Sequence, residues 1–351
     1  MTAALVTVGG ILVAVAIHEL GHFVVARLCK MEVECYFVGF GPKLFSWHTK
    51  SGVEVGLRAL PIGGYVKIPG MDLRKADEYP EGTYAKASWL HQIAVCAAGP
   101  LSHFLIAFLL IFSALLFLQP VAGGAGRPTV SGVDMGSPAF ESGLRAGDTV
   151  VEVDGTAVSS WGEVDAISDD DATVTVLRGD ERLVLEDVSW DGVYVPTGTS
   201  RPGPAEAARM AGEATVQMVP ALWDALVDTF ARTPAITADV IKGGDAPSER
   251  AMSLVGLAAA SDDLRGSYGW FGLLLILAQL NVFFAVLNLL PLYPFDGGHV
   301  AAAILSRVTQ SVPDLRQKIL TGFAGSAWAV VGALALLFVS TFLVDIIDIL
   351  R

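Results

Sequence analysis

Residues 11–28 read Ile11-Leu12-Val13-Ala14-Val15-Ala16-Ile17-His18-Glu19-Leu20-Gly21-His22-Phe23-Val24-Val25-Ala26-Arg27-Leu28. They close an apolar run from Thr2 to Leu28 that is long enough, as a helix, to cross a bilayer. Two histidines and a carboxylate at membrane depth are costly and need a reason. On a helix His18 and His22 lie one turn apart on the same face, the spacing with which two imidazoles grip one Zn²⁺. Glu19 is then placed to act as general base toward a water at that metal. The alternative is a pair of satisfied, helix-packed histidines, and the coincidence of motif and apolar setting argues against it.

Outward from this span, three further apolar runs have membrane-crossing length: Ile93–Leu118, Phe271–Leu290 and Ala324–Val344. With 53% hydrophobic residues, 17% charged residues and a mean hydropathy of +0.55, the chain is too apolar for an ordinary soluble enzyme. It reads as a polytopic α-helical membrane protein of four transmembrane helices with a substantial soluble insert. The first run lacks a positive n-region and is not expected to be a cleaved signal peptide.

The net charge of −13 is unevenly spread. Arg27–His91 holds nine Lys/Arg against seven Asp/Glu, whereas Gln119–Trp270 holds ten against twenty-four. The loop after the third run carries Arg307, Arg316 and Lys318. The positive-inside rule therefore puts Arg27–His91 and that loop in the cytoplasm, and the acidic insert and both termini outside. An acidic insert argues against a nucleic-acid partner. Cys29, Cys35 and Cys96 form neither a disulfide framework nor a Cys-x-x-Cys pair and read as structural.

After the first span, Val53, Val55 and Leu57 alternate with Glu54, Gly56 and Arg58, a period of two that predicts strands. Gly63-Gly64 marks a turn or a close backbone approach. The stretch is expected to be a small β-sheet beside the first span; an ordinary cytoplasmic hairpin fits the composition equally well. Gly99-Pro100 suggests a kink or a start within the second apolar helix. Thr129–Ser189 reads as a compact α+β unit. It has strands at Val130–Val133 and Thr149–Val153, a short helix at Ser137–Glu141 with Ser as N-cap and Pro at N1, and a hairpin across Arg178–Glu181. Ala205–Ala231 reads as amphipathic helices broken at Pro220, packed on the soluble unit rather than lying on the membrane.

A catalytic zinc site needs a third protein ligand. The end of the third run, Asn288-Leu289-Leu290-Pro291-Leu292-Tyr293-Pro294-Phe295-Asp296-Gly297-Gly298-His299, supplies a carboxylate. The prolines break the helix and the glycines permit a close turn. Asp296 is the favoured third ligand, with His299 as a rival and an interfacial charge as the bland reading of Asp296.

Together these segments resemble the site-2 protease family of intramembrane zinc metalloproteases. The closest resemblance is to its bacterial regulated-intramembrane-proteolysis branch with a single PDZ domain. The resemblance rests on His18-Glu19-x-x-His22 and on Asn288-x-x-Pro291-x-x-Pro294-Phe295-Asp296-Gly297. It extends to Pro61-Ile62-Gly63-Gly64-Tyr65-Val66-Lys67, Ala98-Gly99-Pro100-Leu101, and the PDZ-like Ser137-Pro138-Ala139 with Ser142–Asp148. It implies His18, His22 and Asp296 as zinc ligands, Glu19 as general base, and Asn288, Gly63, Gly64 and His103 as substrate contacts. The expected organisation is spans at 1–28, 92–118, 270–298 and 324–344, and a membrane-associated β-loop over 35–70. An inserted extracytoplasmic PDZ-like domain over 125–190 and an amphipathic connector over 200–265 complete it.

The resemblance also implies a plasma-membrane location with the active site toward the cytoplasm. The implied substrates are pre-trimmed single-span membrane proteins such as anti-sigma factors, or remnant signal peptides. A peptide or protein is an expected partner of the PDZ-like domain, which would act as an adaptor or a size filter. The chain departs from the family pattern at His103, where Asn is usual, at Phe295 for Leu, at Tyr293 for a common Pro, and at Leu254 for Pro. His103 has three readings: a hydrogen-bonding substitute for Asn, a group approaching the zinc, or an altered substrate contact. A non-catalytic PDZ scaffold and a metal transporter are the rival classes; an intact Glu19 and the lack of a chain of polar sites along the spans disfavour them.

Overall fold

The computed structural model describes residues 2–119, 128–134, 137–167, 172–195, 201–242 and 253–350. Among the described residues, four helices are long and apolar enough to cross a membrane: Thr2–Leu28, Trp89–Leu118, Asp263–Asn288 and Pro313–Ile347. The chain divides into two compact units, residues 1–7, 108–216 and 257–278 in one and residues 8–107, 217–256 and 279–351 in the other.

The second unit holds most of α1 (Thr2–Leu28), then β1 (Cys35–His48) and β2 (Glu54–Lys67). The two long strands double back on themselves. Residues 35–38 pair in parallel with 54–57, while 43–48 run antiparallel to 54–58 and 35–38 antiparallel to 64–67. The result is four short segments in the order 43–48, 54–57, 35–38, 64–67, with 64–67 on an edge. Gly39, Gly41 and Gly63 all have positive φ, which lets strands this long bend without a Cβ clash. Two 3₁₀ turns, Leu73–Glu78 and Tyr84–Lys86, lead into α2 (Trp89–Ser113). Ala26, Met31, Val53, Tyr84, Val95, Ala302 and Leu320 form the core of this unit.

The Gly99-Pro100 pair sits inside α2, which begins at Trp89, so it does not start the helix. The helix then closes on a π turn over Ala114–Leu118.

In the other unit a four-stranded antiparallel sheet has the order β5 (Thr156–Ala157), β4 (Thr149–Val153), β6 (Ala172–Arg178), β7 (Glu181–Val188). Strand β3 (Gly132–Val133) pairs separately with β8 (Val193–Tyr194). Helix α3 (Pro138–Glu141) starts where Ser137 accepts a hydrogen bond from the Phe140 N–H, with Pro138 in its first turn. With α4 (Trp161–Ile167), these elements bury Val130, Val133, Leu144, Val150, Val153, Val174 and Val176. Asp148, fully buried, accepts from the Arg145 N–H and from both Nε and Nη2 of Arg178, which satisfies a charge that burial would otherwise penalise.

Helix α5 runs unbroken from Pro204 to Ile241 through Pro220 and Pro234, where a break at Pro220 was expected. Ala207, Ala211, Leu222, Leu226 and Val240 are buried along one face. That continuous packing offsets the lost backbone bond, and the Pro220 ring points outward.

The third span also differs from its expected limits of 270–298. Helix α6 runs from Leu254 to Asn288 with a bend at Gly269 (φ 62°, ψ −166°). Pro291 and Pro294 then prevent continuation, and α7 (Asp296–Val308) starts afresh at Asp296. The fourth span lies within α8 (Pro313–Leu350), which is longer than the expected 324–344.

Candidate metal centre

Helical spacing puts His18 and His22 on one face of α1, and both are 7% exposed. Their Nε2 atoms lie 3.1 Å apart. The start of α7 brings Asp296 Oδ2 to 3.2 Å from His18 Nε2 and 3.3 Å from His22 Nε2. Among the described residues these three form the only group of three His, Cys, Asp or Glu side chains able to share a metal ion. A tetrahedral zinc with bonds of about 2.0–2.1 Å sets neighbouring ligand atoms about 3.3 Å apart. The observed triangle therefore has the size of one face of such a tetrahedron.

The second bond of His22 supports the same conclusion. Its Nδ1 lies 2.7 Å from the Val95 carbonyl oxygen, which can only accept. Nδ1 therefore carries a proton, which leaves Nε2 as the nitrogen able to ligate a cation beside the Asp296 carboxylate. Two imidazole nitrogens and a carboxylate oxygen converging this closely are the donor set of a divalent metal.

The floor of the site is backbone. A Cβ added at Gly99 would fall on His22 Nε2, and would lie 2.6 Å from both His18 Cε1 and His22 Cε1. One added at Gly21 would lie 2.8 Å from the Ala98 carbonyl oxygen. Glycine at both positions is what allows α1 and α2 to approach so closely.

Glu19 is tied to the sheet: its Oε2 accepts the Val66 N–H at 3.0 Å. Residues 64–67 use their inner edge to pair with 35–38, so Val66 offers Glu19 an outward-facing donor. Tyr36 OH donates to the Ala16 carbonyl at 2.8 Å and fixes the sheet to α1. A Cβ on Gly64 would lie 2.9 Å from the Phe37 carbonyl oxygen and 3.3 Å from Glu19 Cγ, so Gly64 leaves the room that Glu19 occupies. Gly63, with φ +80°, turns beside the Phe40 ring.

The remaining expected site residues contribute no ligand atom to the triangle. Asn288 donates from Nδ2 to the Phe284 carbonyl of its own helix at 3.0 Å. His103 is buried, with Nδ1 2.8 Å from Asn281 Oδ1 and its ring 4.9 Å from that of His18. The rival ligand His299 packs its ring 4.6 Å from Tyr293 and lines a cavity of about 290 Å³ with Arg74 and Leu320. Burial pushes its imidazole down to about 4, against a smaller upward pull from Asp296. The Val66 N–H and the Val95 carbonyl were not legible as site groups, because backbone atoms leave no mark in residue types. Gly99 was visible in the sequence, but as a kink or start signal and as part of the family-like second-span motif, not as a contact of the histidines.

Residues 6–332 match the model of the family described as Peptidase family M50. The chain is similar to a protein named Zinc metalloprotease Rip1 of Mycobacterium tuberculosis, with 33% identity over 88% of this chain and 87% of that protein. It is also similar to its namesake in Mycolicibacterium smegmatis (30%, covering 89% and 87%) and to Metalloprotease MmpA of Caulobacter vibrioides (27%, covering 82% of each).

Proposed function

The chain belongs to peptidase family M50, the site-2 protease family, and is a multi-pass membrane zinc metalloprotease; we propose that His18, His22 and Asp296 hold its zinc and that Glu19 is its general base. The observation that carries this reading is the triangle of 3.1, 3.2 and 3.3 Å formed by three ligand atoms at the wall of an apolar helix. Zinc bound there supplies a Lewis acid that acidifies water and polarises an amide carbonyl.

The chain's own residues do the rest. Glu19, held by the Val66 N–H, accepts a proton from the attacking water and hands it to the departing amine. The apolar surroundings of His18 and His22 keep bulk water away and strengthen the electrostatics of the site. A helical substrate hides its amides in internal hydrogen bonds, so it unwinds before hydrolysis. The edge segment 64–67, beside Glu19, receives the unwound stretch by strand addition, with Gly63 and Gly64 keeping the approach open. Asn288 lines the substrate path at the end of α6, and His103, buried on α2, bears on it through its contact with His18.

The substrates under this reading are single-span membrane proteins already shortened outside the membrane, such as anti-sigma factors and remnant signal peptides, in regulated intramembrane proteolysis. Residues 35–70 are the membrane-associated β-loop. The unit spanning 125–190 is a PDZ-like domain on the extracytoplasmic side, acting as adaptor or size filter, and 200–265 is the connector. The metal centre opens toward the cytoplasmic side of the plasma membrane.

Paired variants test the site assignment. Glu19→Gln retains zinc and abolishes cleavage of a single-span reporter, whereas Asp296→Asn lowers zinc occupancy. Normal cleavage by the first, or full metal and activity in the second, refutes the roles. Sidedness is tested by cysteine labelling at exposed positions of 137–167 in intact cells, and protection from an impermeant reagent overturns it.

A further inference from the structure

We infer that His103 and Asn281 form a positioning pair that holds the His18 imidazole in the metal centre. The inference rests on His18 being a zinc ligand, as proposed above. It starts from an asymmetry between the two histidines. A metal-ligating imidazole is normally fixed through its second nitrogen, and loss of that support costs about 10–100-fold in affinity. His22 has such support, since its Nδ1 donates to the Val95 carbonyl at 2.7 Å. His18 Nδ1 is buried and meets no protein hydrogen-bond partner among the described residues.

The ring of His18 is held by other rings instead. His22 lies edge-on to it at 4.8 Å between centroids, with an interplanar angle of 81°. His103 lies against it at 4.9 Å and 43°. His103 is only 2% exposed and is itself fixed: its Nδ1 is 2.8 Å from Asn281 Oδ1, and Phe284 packs on it at 5.7 Å. The Asn281 acceptor selects the Nδ1–H tautomer and, with Phe284, sets the plane of the ring. Packing replaces the missing hydrogen bond, because a close-packed ring held on several sides cannot turn without opening a void.

The pair belongs to a larger pattern on α2. Val95, Gly99 and His103 recur every four residues and so share one face. Each meets the histidines differently: Val95 through a carbonyl, Gly99 by having no side chain, and His103 through a ring. His103 is not itself a ligand here, since the ligand atoms that converge belong to His18, His22 and Asp296.

Zinc affinity of the purified full-length protein in detergent, measured by chelator competition, tests the pair. Visible spectra of the Co²⁺-loaded protein report the ligand field directly. His18→Ala serves as reference and loses stoichiometric zinc. His103→Ala is expected to bind zinc about 10–100-fold more weakly, with an altered Co²⁺ spectrum. His103→Phe, which keeps a ring, recovers part of that loss. Asn281→Ala weakens zinc as well, and the double variant is no weaker than His103→Ala, because both act through the same ring. Zinc binding within twofold of the parent in His103→Phe and Asn281→Ala, or additive losses in the double variant, overturns the proposal even if His103→Ala does not fold. Retention of stoichiometric zinc by His18→Ala would instead refute the ligand assignment beneath it.

Discussion

Gly99→Ala is the most economical test of the metal-centre geometry, because it adds one methyl group and replaces no proposed ligand or base. A Cβ at this position would lie 2.6 Å from His18 Cε1 and from His22 Cε1, and closer still to His22 Nε2. Carbon atoms in contact settle at about 3.5–4.0 Å, so the rings must retreat by about 1 Å or α2 must move away from α1. Ring retreat strains the bond from His22 to the Val95 carbonyl, and moving α2 away opens the close contact of Gly21 with Ala98. Metal sites hold their ligand distances to about 0.2 Å, and a displacement of about 1 Å in a catalytic constellation costs on the order of 100-fold in rate.

The intrinsic effect of the substitution has the opposite sign. Alanine is better than glycine inside a helix by roughly 0.5–1 kcal/mol. Gly9→Ala, in α1, is the matched control because a Cβ there meets nothing within 4 Å. The expected outcome is a Gly99→Ala protein that is folded but zinc-poor, with reporter cleavage down at least about 100-fold, beside an unimpaired Gly9→Ala protein. Metal content by elemental analysis and cleavage of a single-span reporter are the assays. Full zinc and full activity in Gly99→Ala would refute the triangle as the working metal centre.

Two further substitutions probe the surroundings. Gly64→Ala crowds Glu19 Cγ and the Phe37 carbonyl; it should leave zinc content unchanged and lower kcat on the order of 10–100-fold, and loss of zinc instead would show that the crowding reaches the ligands. Asp148→Ala removes a fully buried carboxylate from Arg178, whose side chain is 40% exposed. The loss should be about 2 kcal/mol, below that of a fully enclosed pair because water still reaches the guanidinium, and it is read as a lower unfolding midpoint of the full-length protein.

Much of the architecture was legible because its signals are one-dimensional. Four runs of apolar residues become four membrane-length helices, since length and hydropathy alone decide whether a helix can span. Ser137-Pro138 begins α3, and Arg178–Glu181 closes the β6–β7 hairpin, because caps and turns are chosen by local chemistry. The misreadings came where distant packing overrides local preference. Pro220 does not end α5, because Leu222 and Leu226 remain buried beyond it. The doubled-back register of β1 and β2 depends on which segments meet in space, and period-two alternation is silent on that.

The metal centre divides along a different line. His18 and His22 announce themselves through helical spacing, and Asp296 through the expense of a carboxylate at the end of an apolar helix. The groups that orient them announce nothing. The Val95 carbonyl and the Val66 N–H belong to the backbone, and their residue types are interchangeable with other apolar ones. Gly99 acts through a missing atom. His103 is the instructive case, since its side chain is conspicuous in the sequence but lies 178 residues from its partner Asn281. Only the packing of α2 against α6 makes the two a pair, and only their contact with His18 gives the pair a consequence. Side chains that carry the chemistry can be read from spacing, whereas those that aim them are defined by three-dimensional contact; variants at Gly99, His103 and Asn281 therefore test the fold and the catalyst together.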